Sequence, residues 1–193
     1  YIIRSTNSII IDEDEVFETV ADGTWAPFRM IGYACINMGL REQKIFTNRT
    51  LRKATLEKEG HSYLSSLIQE NLSDLLTILK TNEENDIRFF RISSEIFPFY
   101  SHPVMGYEIE DLPESKHILS LLSQIGKFAT EHGHRLTTHP GHFNVLASPS
   151  EAVVMKTIRD LECHSKMFDY MGFVPSHYNK INIHVGGAYG DKE

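Results

Sequence analysis

The chain has 193 residues, of which 41% are hydrophobic and 23% are charged, a balance typical of a protein with a packed core. No apolar run approaches the roughly 20 residues that a transmembrane helix needs, and no signal peptide is visible, so we expect no membrane partner. The formal net charge is −7, and residues 1–22 contribute six acidic side chains against a single arginine. We therefore expect residues 1–29 to form an acidic, mobile extension that precedes a domain of residues 30–193.

Strand and helix patterns alternate along the chain. Strands are predicted over residues 30–35, 87–92, 135–138 and 180–185, and helices over residues 61–82, 114–132 and 150–172. This alternation favours a parallel sheet with right-handed crossovers. No glycine-rich nucleotide loop follows the first strand, and polar residues follow strand after strand, so the α/β pattern favours a TIM (β/α)8 barrel. With four strands, the chain would supply about the first four βα units of a truncated barrel domain.

Apolar spacing also predicts which helix faces are buried. The last helix is expected to direct five apolar side chains toward the core: Val153, Val154, Ile158, Leu161 and Phe168. Four histidines on or near helices are expected to be surface residues: His117, His132, His134 and His164. The two cysteines, Cys35 and Cys163, lack metal-type spacing and are predicted to be reduced thiols of an intracellular protein.

Three other histidines, His102, His139 and His184, each follow a predicted strand. Because the carboxyl ends of parallel strands share one face of a barrel, these three imidazoles are expected to lie close together. Neutral imidazole is a ligand for Mn, Zn and Fe ions. The pattern therefore predicts a metal site, with a hydrogen-bonded structural role as the alternative for each histidine.

Residues near these histidines are candidates for binding nucleic acid. His142 and Phe143 would project above the metal face, where an aromatic ring can stack on or wedge against a base, although Phe143 packed in the core is the alternative. Tyr33 and Asn37 end the first strand and are suited to donate to phosphate oxygens, unless Tyr33 is buried.

The segment of residues 41–59 is locally basic. Its Arg49 and Arg52 would add positive charge near phosphate groups, and a solvated loop is the alternative. Arg91 lies within the second predicted strand and would need a carboxylate partner if it points into a barrel.

Five short motifs together resemble the UV damage endonuclease family. They are Gly32-Tyr33-Ala34-Cys35-Ile36-Asn37, Thr47-Asn48-Arg49-Thr50-Leu51-Arg52, Phe90-Arg91-Ile92-Ser93-Ser94 with Pro98 and Ser101-His102-Pro103, His139-Pro140-Gly141, and Ile183-His184-Val185-Gly186-Gly187-Ala188-Tyr189-Gly190. The motifs run in the family's order and spacing from about residue 30 to residue 193. Each is weak alone, and the ordered set is specific.

The resemblance implies a TIM barrel that carries a cluster of divalent metals, typically manganese, with zinc or magnesium as alternatives. It implies a DNA repair endonuclease that incises double-stranded DNA immediately 5′ to UV photolesions, both pyrimidine dimers and 6-4 photoproducts, and leaves a 3′-hydroxyl. The family's further ligands lie on later strands, so the 193 residues alone are expected to be inactive. The resemblance also leads us to expect a monomer, located in the nucleus or mitochondrion of a eukaryote or in the cytoplasm of a bacterium.

The resemblance also assigns roles to residues of this chain. His102, His139 and His184 correspond to metal ligands, and Tyr33 and Asn37 correspond to contacts with the lesion strand. His142 and Phe143 correspond to the pair that the family wedges into the duplex, although the family usually has glutamine where this chain has His142.

Two other classes of function stay open at this stage. A related metal barrel, either an AP endonuclease or a xylose-isomerase-like enzyme, would share the histidine pattern. A non-catalytic module that binds damaged DNA would keep its affinity for lesions without any metal.

Overall fold

A computed structural model of the protein describes residues 30–184, together with the backbone of three short strands at residues 10–11, 17–19 and 25–27. The strands are Ile10–Ile11 (β1), Phe17–Thr19 (β2), Trp25–Pro27 (β3), Ile31–Ala34 (β4), Phe89–Ile92 (β5) and Arg135–Thr138 (β6). The helices are Met38–Glu42 (α1), Lys53–Glu84 (α2), Ser115–Glu131 (α3) and Glu151–Tyr170 (α4). None of the helices in the described part of the chain is long and apolar enough to cross a membrane.

The described strands form one four-stranded sheet and a separate hairpin. In the sheet, with order β1-β4-β5-β6, β4 pairs parallel with β5 and β5 pairs parallel with β6, while β1 pairs antiparallel with β4. Strands β2 and β3 form the hairpin. The predicted α/β class with a parallel sheet is thereby confirmed, and closure of the sheet into a barrel stays a prediction. Most of residues 1–29 lie outside the described residues, so their assignment as a mobile extension also stays a prediction.

Alternation along the strands separates a helix-facing side of the sheet from the opposite side. Phe90, Ile92 and Leu136 are fully buried in the core that includes α2 and α3. Because successive strand residues point to opposite sides, Arg91 and its register partner Thr137 face away from the helices. This second side is the one that would line the interior of a barrel.

Helix α2 is longer than its apolar pattern predicts. It begins at Lys53 rather than at residue 61, and it contains a kink at Gly60, where φ is 71° and ψ is −170°. Glycine adopts this positive φ without the steric cost that a Cβ imposes. The apolar repeat indicates only the part of the helix after the kink, because that part packs on the sheet: Leu64, Ile68 and Leu72 are fully buried.

The buried face of α4 differs from the predicted one. Ile158 is 37% exposed and Leu161 is partly exposed, so the expectation that both point into the core is wrong. The residues buried instead include Thr157 and His164, each 2% exposed. Both polar side chains hydrogen bond to the segment that begins with β6. Phe168, which is 7% exposed, is buried as predicted, and Val153 and Val154 are partly buried.

The assignment of four histidines to the surface is half correct. His117 and His132 are exposed, but His134 and His164 are each 2% exposed. His134 is buried because its Nε2 atom lies 2.9 Å from the carboxylate of Glu83 at the end of α2. A polar side chain can be buried when it has such a partner, and apolar spacing gives no sign of that partner.

The predicted strand over residues 180–185 is reduced to a single parallel bridge between Thr138 and Ile181 among the described residues. Side chains take the backbone groups that a longer ladder would use. Asn179 Oδ1 accepts from the N–H of Leu136 (3.0 Å), and His139 Nδ1 bonds to the carbonyl of Asn182 (2.9 Å).

Candidate metal and DNA-binding site

His139 and His184, which we call the histidine pair, lie at the carboxyl edge of the parallel sheet. His139 directly follows β6, and His184 follows the bridge residue Ile181 by three positions. Their Nε2 atoms are 2.8 Å apart and their ring centroids 4.5 Å apart. The structure thus brings together two of the three histidines that the sequence predicts as ligands.

Hydrogen bonding fixes the tautomer of His139. Its Nδ1–H donates to the carbonyl of Asn182, so the lone pair of Nε2 faces His184. Burial lowers the pKa of His139, and the nearby positive charges of His184 and Arg91 lower it further. A lowered pKa keeps the imidazole neutral at pH 7, which is the form that binds a cation.

His102, the third predicted ligand, makes a different set of contacts in the loop after β5. Its Nδ1 accepts from the N–H groups of Val104 (3.2 Å) and Met105 (3.0 Å), so the imidazole closes a tight turn. Val104, at this turn, is 85% exposed. Within residues 30–184, no group of three or more His, Cys, Asp or Glu side chains is arranged to hold a metal ion. The role of His102 as a ligand therefore stays a prediction.

His142 and Phe143, which we call the ring pair, project from the loop after β6. Their ring centroids are 3.9 Å apart, and Phe143 is 73% exposed. The alternative that Phe143 packs in the core is therefore wrong. The ring of His142 also lies 6.4 Å from that of His184, nearly perpendicular to it, so the ring pair stands beside the histidine pair. An exposed aromatic ring of this kind is suited to stacking on a base.

Tyr33 and Asn37 use their polar atoms within the protein. The Tyr33 hydroxyl donates to Asn82 Oδ1 of α2 (2.6 Å), and Asn37 Nδ2 donates to the Tyr33 oxygen (2.9 Å). Asn37 also caps α1, since its Oδ1 accepts from the N–H of Leu40 (3.0 Å). Burial raises the pKa of Tyr33. These bonds favour a structural role for Tyr33, although both residues are partly exposed, and their contact with DNA stays a prediction.

Arg49 and Arg52 have opposite environments. The guanidinium of Arg49 lies 2.6 Å from Asp74 and 3.1 Å from Glu70, both on α2, and stacks 4.1 Å from the ring centroid of Phe46. Arg49 thereby holds the loop between α1 and α2, residues 43–52, against α2; we call this segment the basic loop. Arg52, at the start of α2, is exposed and makes no side-chain hydrogen bond as the helix cap. Of the two predicted cationic contacts, Arg52 is the one with its charge accessible.

Arg91 lies behind the histidine pair on the side of the sheet that faces away from the helices. Its Nε atom is buried and has no hydrogen-bond partner among the described residues, and the same is true of Oγ1 of Thr137 beside it. The carboxylate that the sequence argument requires is therefore not supplied by residues 30–184. The Arg91 cation still acts on this site, because it contributes to the lowered pKa of His139.

Several residues that shape the site are not identified by the sequence argument. Asn71 is fully buried and clamps the basic loop, accepting from the N–H of Arg49 (3.0 Å) and donating to its carbonyl (3.2 Å). On α4, Thr157, Asp160 and His164 bond to the β6 segment. The available signal was their spacing of three and four residues, which places three polar side chains on one face of an otherwise amphipathic helix.

The fold and the site define an α/β protein whose histidines and exposed rings cluster at the carboxyl edge of a parallel sheet, where ligand sites of such folds lie. The family model for the UV-endonuclease UvdE matches residues 29–193. The chain therefore belongs to the UvdE family.

Individual relatives agree with this assignment. A relative from Acanthamoeba polyphaga mimivirus is 40% identical over 163 residues, which are 84% of this chain and 48% of the relative. The UV-damage endonuclease of Neurospora crassa is 37% identical over an alignment of 195 positions that covers 84% of this chain and 29% of that protein. The crystal structure of SacUVDE matches with a TM-score of 0.69 and 33% identity, covering 81% of this chain and 49% of that one. The chain thus spans at most about half the length of these relatives.

Proposed function

We propose that the complete protein is a DNA repair endonuclease that incises the backbone immediately 5′ to UV photolesions. The observation that carries the proposal is the exposed ring pair beside the histidine pair in a chain of the UvdE family. One group of side chains is suited to hold a metal, and its neighbour is suited to contact a base. The substrate would be double-stranded DNA with pyrimidine dimers or 6-4 photoproducts, and the protein would act as a monomer.

The histidine pair fits a divalent ion, for which we propose manganese, with zinc or magnesium as alternatives. Two Nε2 atoms 2.8 Å apart have a separation close to that of two neighbouring ligands on one ion, given metal–nitrogen bonds of about 2.1 Å. The bond from His139 Nδ1–H to Asn182 is the outer hydrogen bond that metal-binding histidines typically make. His102 is proposed as a further ligand, and the remaining ligands would come from other parts of the complete protein.

The bound ions would supply a water of lowered pKa and would stabilise the negative charge that develops on the phosphate during hydrolysis. The protein's own residues would select and orient the DNA. The ring pair would enter the space left by a lesion, and a photolesion favours this because its bases already stack and pair poorly. Arg52 would bind a phosphate, with Tyr33 and Asn37 as partly exposed contacts to the same strand.

We also propose that the parallel sheet belongs to a TIM (β/α)8 barrel. Three parallel strands with helical crossovers, and a bridge to a fourth segment at Ile181, are the arrangement that the first half of such a barrel requires. The side of the sheet that carries Arg91 and Thr137 would then face the barrel interior, where later strands would supply the missing carboxylates.

The first prediction tests the proposed function through one histidine. His139→Ala in the complete protein should abolish nicking of UV-irradiated plasmid in manganese, because the substitution removes one of two converging ligands. His117→Ala is the matched control, since His117 is exposed on α3, and it should nick at the wild-type rate. Nicking by His139→Ala at the wild-type rate would contradict the ligand assignment.

The same assay separates the two other classes of function. An abasic oligonucleotide that is cut better than a dimer-containing one would indicate an AP endonuclease. Equal affinity for damaged DNA in manganese and in chelator, with no incision in either, would indicate a non-catalytic binding module. Incision next to the dimer that requires the metal is the outcome that supports the proposal.

A further inference from the structure

One face of α4 carries three polar side chains that hold the segment running from β6 into the loop of the ring pair. They are Thr157, Asp160 and His164, whose spacing of three and four residues places them on one side of a helix. Thr157 and His164 are each 2% exposed. A helix face packed against a sheet is ordinarily apolar, so buried polar groups there require specific partners.

Two of these side chains fasten the loop directly after the ring pair. Asn144 Nδ2 donates to Asp160 Oδ2 (2.6 Å), and the N–H of Val145 donates to Thr157 Oγ1 (3.0 Å). Asn144 is 8% exposed, and its own N–H donates to the carbonyl of Gly141 (2.9 Å), which closes a turn around the ring pair. The backbone that bears the two exposed rings is therefore fixed on both sides of the pair.

The third side chain fastens the start of the same segment. His164 Nδ1 lies 3.0 Å from Oγ1 of Thr138, the residue directly before His139. The face of α4 thus holds both the strand end that bears a predicted ligand and the loop that bears the ring pair. The strand end and the loop are therefore both hydrogen bonded to one helix.

We propose that Asn144 and Asp160 are positioning residues that orient the ring pair for insertion into the damaged duplex. The proposal rests on the proposed function and names residues that act through the ring pair rather than on DNA directly. Phe143 is too exposed for packing to fix its orientation, so the orientation depends on the anchored backbone. A side chain that is already oriented loses less entropy on insertion, and this raises the rate of lesion-dependent incision.

We call the hydrogen bonds from Asn144 and Val145 to α4 the anchor. It is tested in the complete protein with the substitution Asn144→Asp, which places two carboxylates next to each other. We expect kcat/KM on a duplex with a single pyrimidine dimer to fall about tenfold, as the loss of a hydrogen bond to a charged group implies. The fluorescence rise of 2-aminopurine placed opposite the dimer, which reports displacement of the base, should fall in parallel. The affinity for manganese should not change.

The double variant Asn144→Asp with Asp160→Asn is the matched control. It restores the hydrogen bond with donor and acceptor exchanged, so incision and base displacement should return to near wild-type values. Thr157→Val removes a second anchor point without adding charge, and it should lower both measurements about threefold if the anchor operates. This variant also tests the proposal if Asn144→Asp does not fold.

Base displacement and incision at wild-type levels in Asn144→Asp, or in Thr157→Val where Asn144→Asp does not fold, would overturn the anchor. The same conclusion would follow if the exchanged pair melts like the wild type but stays impaired. A wild-type protein that fails to incise irradiated DNA would contradict the proposed function instead, so the two failures are distinguishable.

Discussion

Arg49 and Arg52 lie three positions apart in the basic loop, and their different surroundings predict different defects. Arg49→Gln should lower the free energy of unfolding by about 1–3 kcal/mol, because it leaves Asp74 and Glu70 without their cation. Arg52→Gln should change stability by less than about 0.5 kcal/mol, because its side chain is exposed. It should instead weaken DNA binding and reduce the salt dependence of log K by about one unit, as removal of one phosphate contact does.

Denaturant unfolding and DNA titrations over a range of salt concentrations measure the two effects. Loss of DNA affinity in a fully stable Arg49→Gln protein would show that Arg49 contacts phosphate after all. The sequence shows that both residues are basic but cannot separate them. The carboxylates that bind Arg49 lie on α2, more than twenty positions away, and only the folded helix brings them near.

The histidine pair is the part of the site that the sequence predicts best. A histidine at the end of a strand has a defined direction, so parallel strands bring two such residues to one edge. His102 follows a long irregular loop, whose turn geometry depends on hydrogen bonds to its own imidazole. Polar anchors such as Asn144 and Asp160 are less predictable, because each becomes recognisable only when its partner is in place.

At the scale of the elements, the close contact between α3 and the residue after α4 requires a glycine, Gly126, because there is no room for a side chain. A Cβ at Gly126 of α3 would lie 1.8 Å from the carbonyl oxygen of Met171. Gly126→Ala should therefore destabilise the protein by about 1–3 kcal/mol through overpacking, although alanine is normally favoured over glycine within a helix by about 1 kcal/mol. Thermal and denaturant unfolding of the complete protein would measure the loss.

Gly39→Ala in α1 is the comparison, because a Cβ there meets only Asn37 Oδ1 at an ordinary contact distance of 3.6 Å. It should leave the stability unchanged or raise it by up to about 1 kcal/mol, because alanine is favoured over glycine within a helix. If Gly126→Ala proves equally neutral, the close packing of α3 against the end of α4 is not present in solution.

The elements themselves were predicted to different accuracy for physical reasons. Strand β6 has the predicted bounds, and α3 differs by one residue at each end, because Gly133 stops that helix with a positive φ of 66°. The first turns of α2 are missed because they precede the kink at Gly60 and carry few apolar residues. The buried face of α4 is predicted only in part: Phe168 is buried and Ile158 is exposed, and the polar Thr157 and His164 are buried with hydrogen bonds to the β6 segment.

At the scale of the whole molecule, a cluster of charges predicts sensitivity to acid. Glu83 at the end of α2 bonds to Arg88 (3.1 Å) before β5 and to His134 (2.9 Å) before β6, so it joins three elements. Hydrogen bonding to Arg88 lowers the pKa of Glu83, and burial lowers the pKa of His134. In both residues the folded state favours the deprotonated form.

Because the pKa values of Glu83 and His134 are both lowered in the fold, the free energy of unfolding should fall as the pH falls. A group whose pKa is lower in the folded than in the unfolded state stabilises the fold at pH values above its unfolded pKa. This stabilisation is lost as the pH falls through the folded pKa. The free energy of unfolding should therefore decline below about pH 6.5 through His134 and decline again below about pH 4.3 through Glu83. Denaturant unfolding at a series of pH values would detect both steps.

His134→Phe should reduce the first decline, whereas His117→Gln, at an exposed position, should leave it unchanged. His164 is also buried with a lowered pKa, so part of the first decline should remain. A stability that is flat between pH 7 and pH 5 in the wild type would contradict the contribution of His134.

The short distance within the histidine pair has a thermodynamic consequence. Because the Nε2 lone pair of His139 faces His184, the contact of 2.8 Å requires the Nε2 atom of His184 to carry a hydrogen, since two lone pairs at that distance would repel each other. An incoming divalent cation would need the lone pairs of both Nε2 atoms, so His184 would have to carry its hydrogen on Nδ1 instead, a change of tautomer that releases no proton from the pair. Loading would therefore depend on the freedom of the His184 ring to change tautomer, whereas His139 already directs its Nε2 lone pair toward the site.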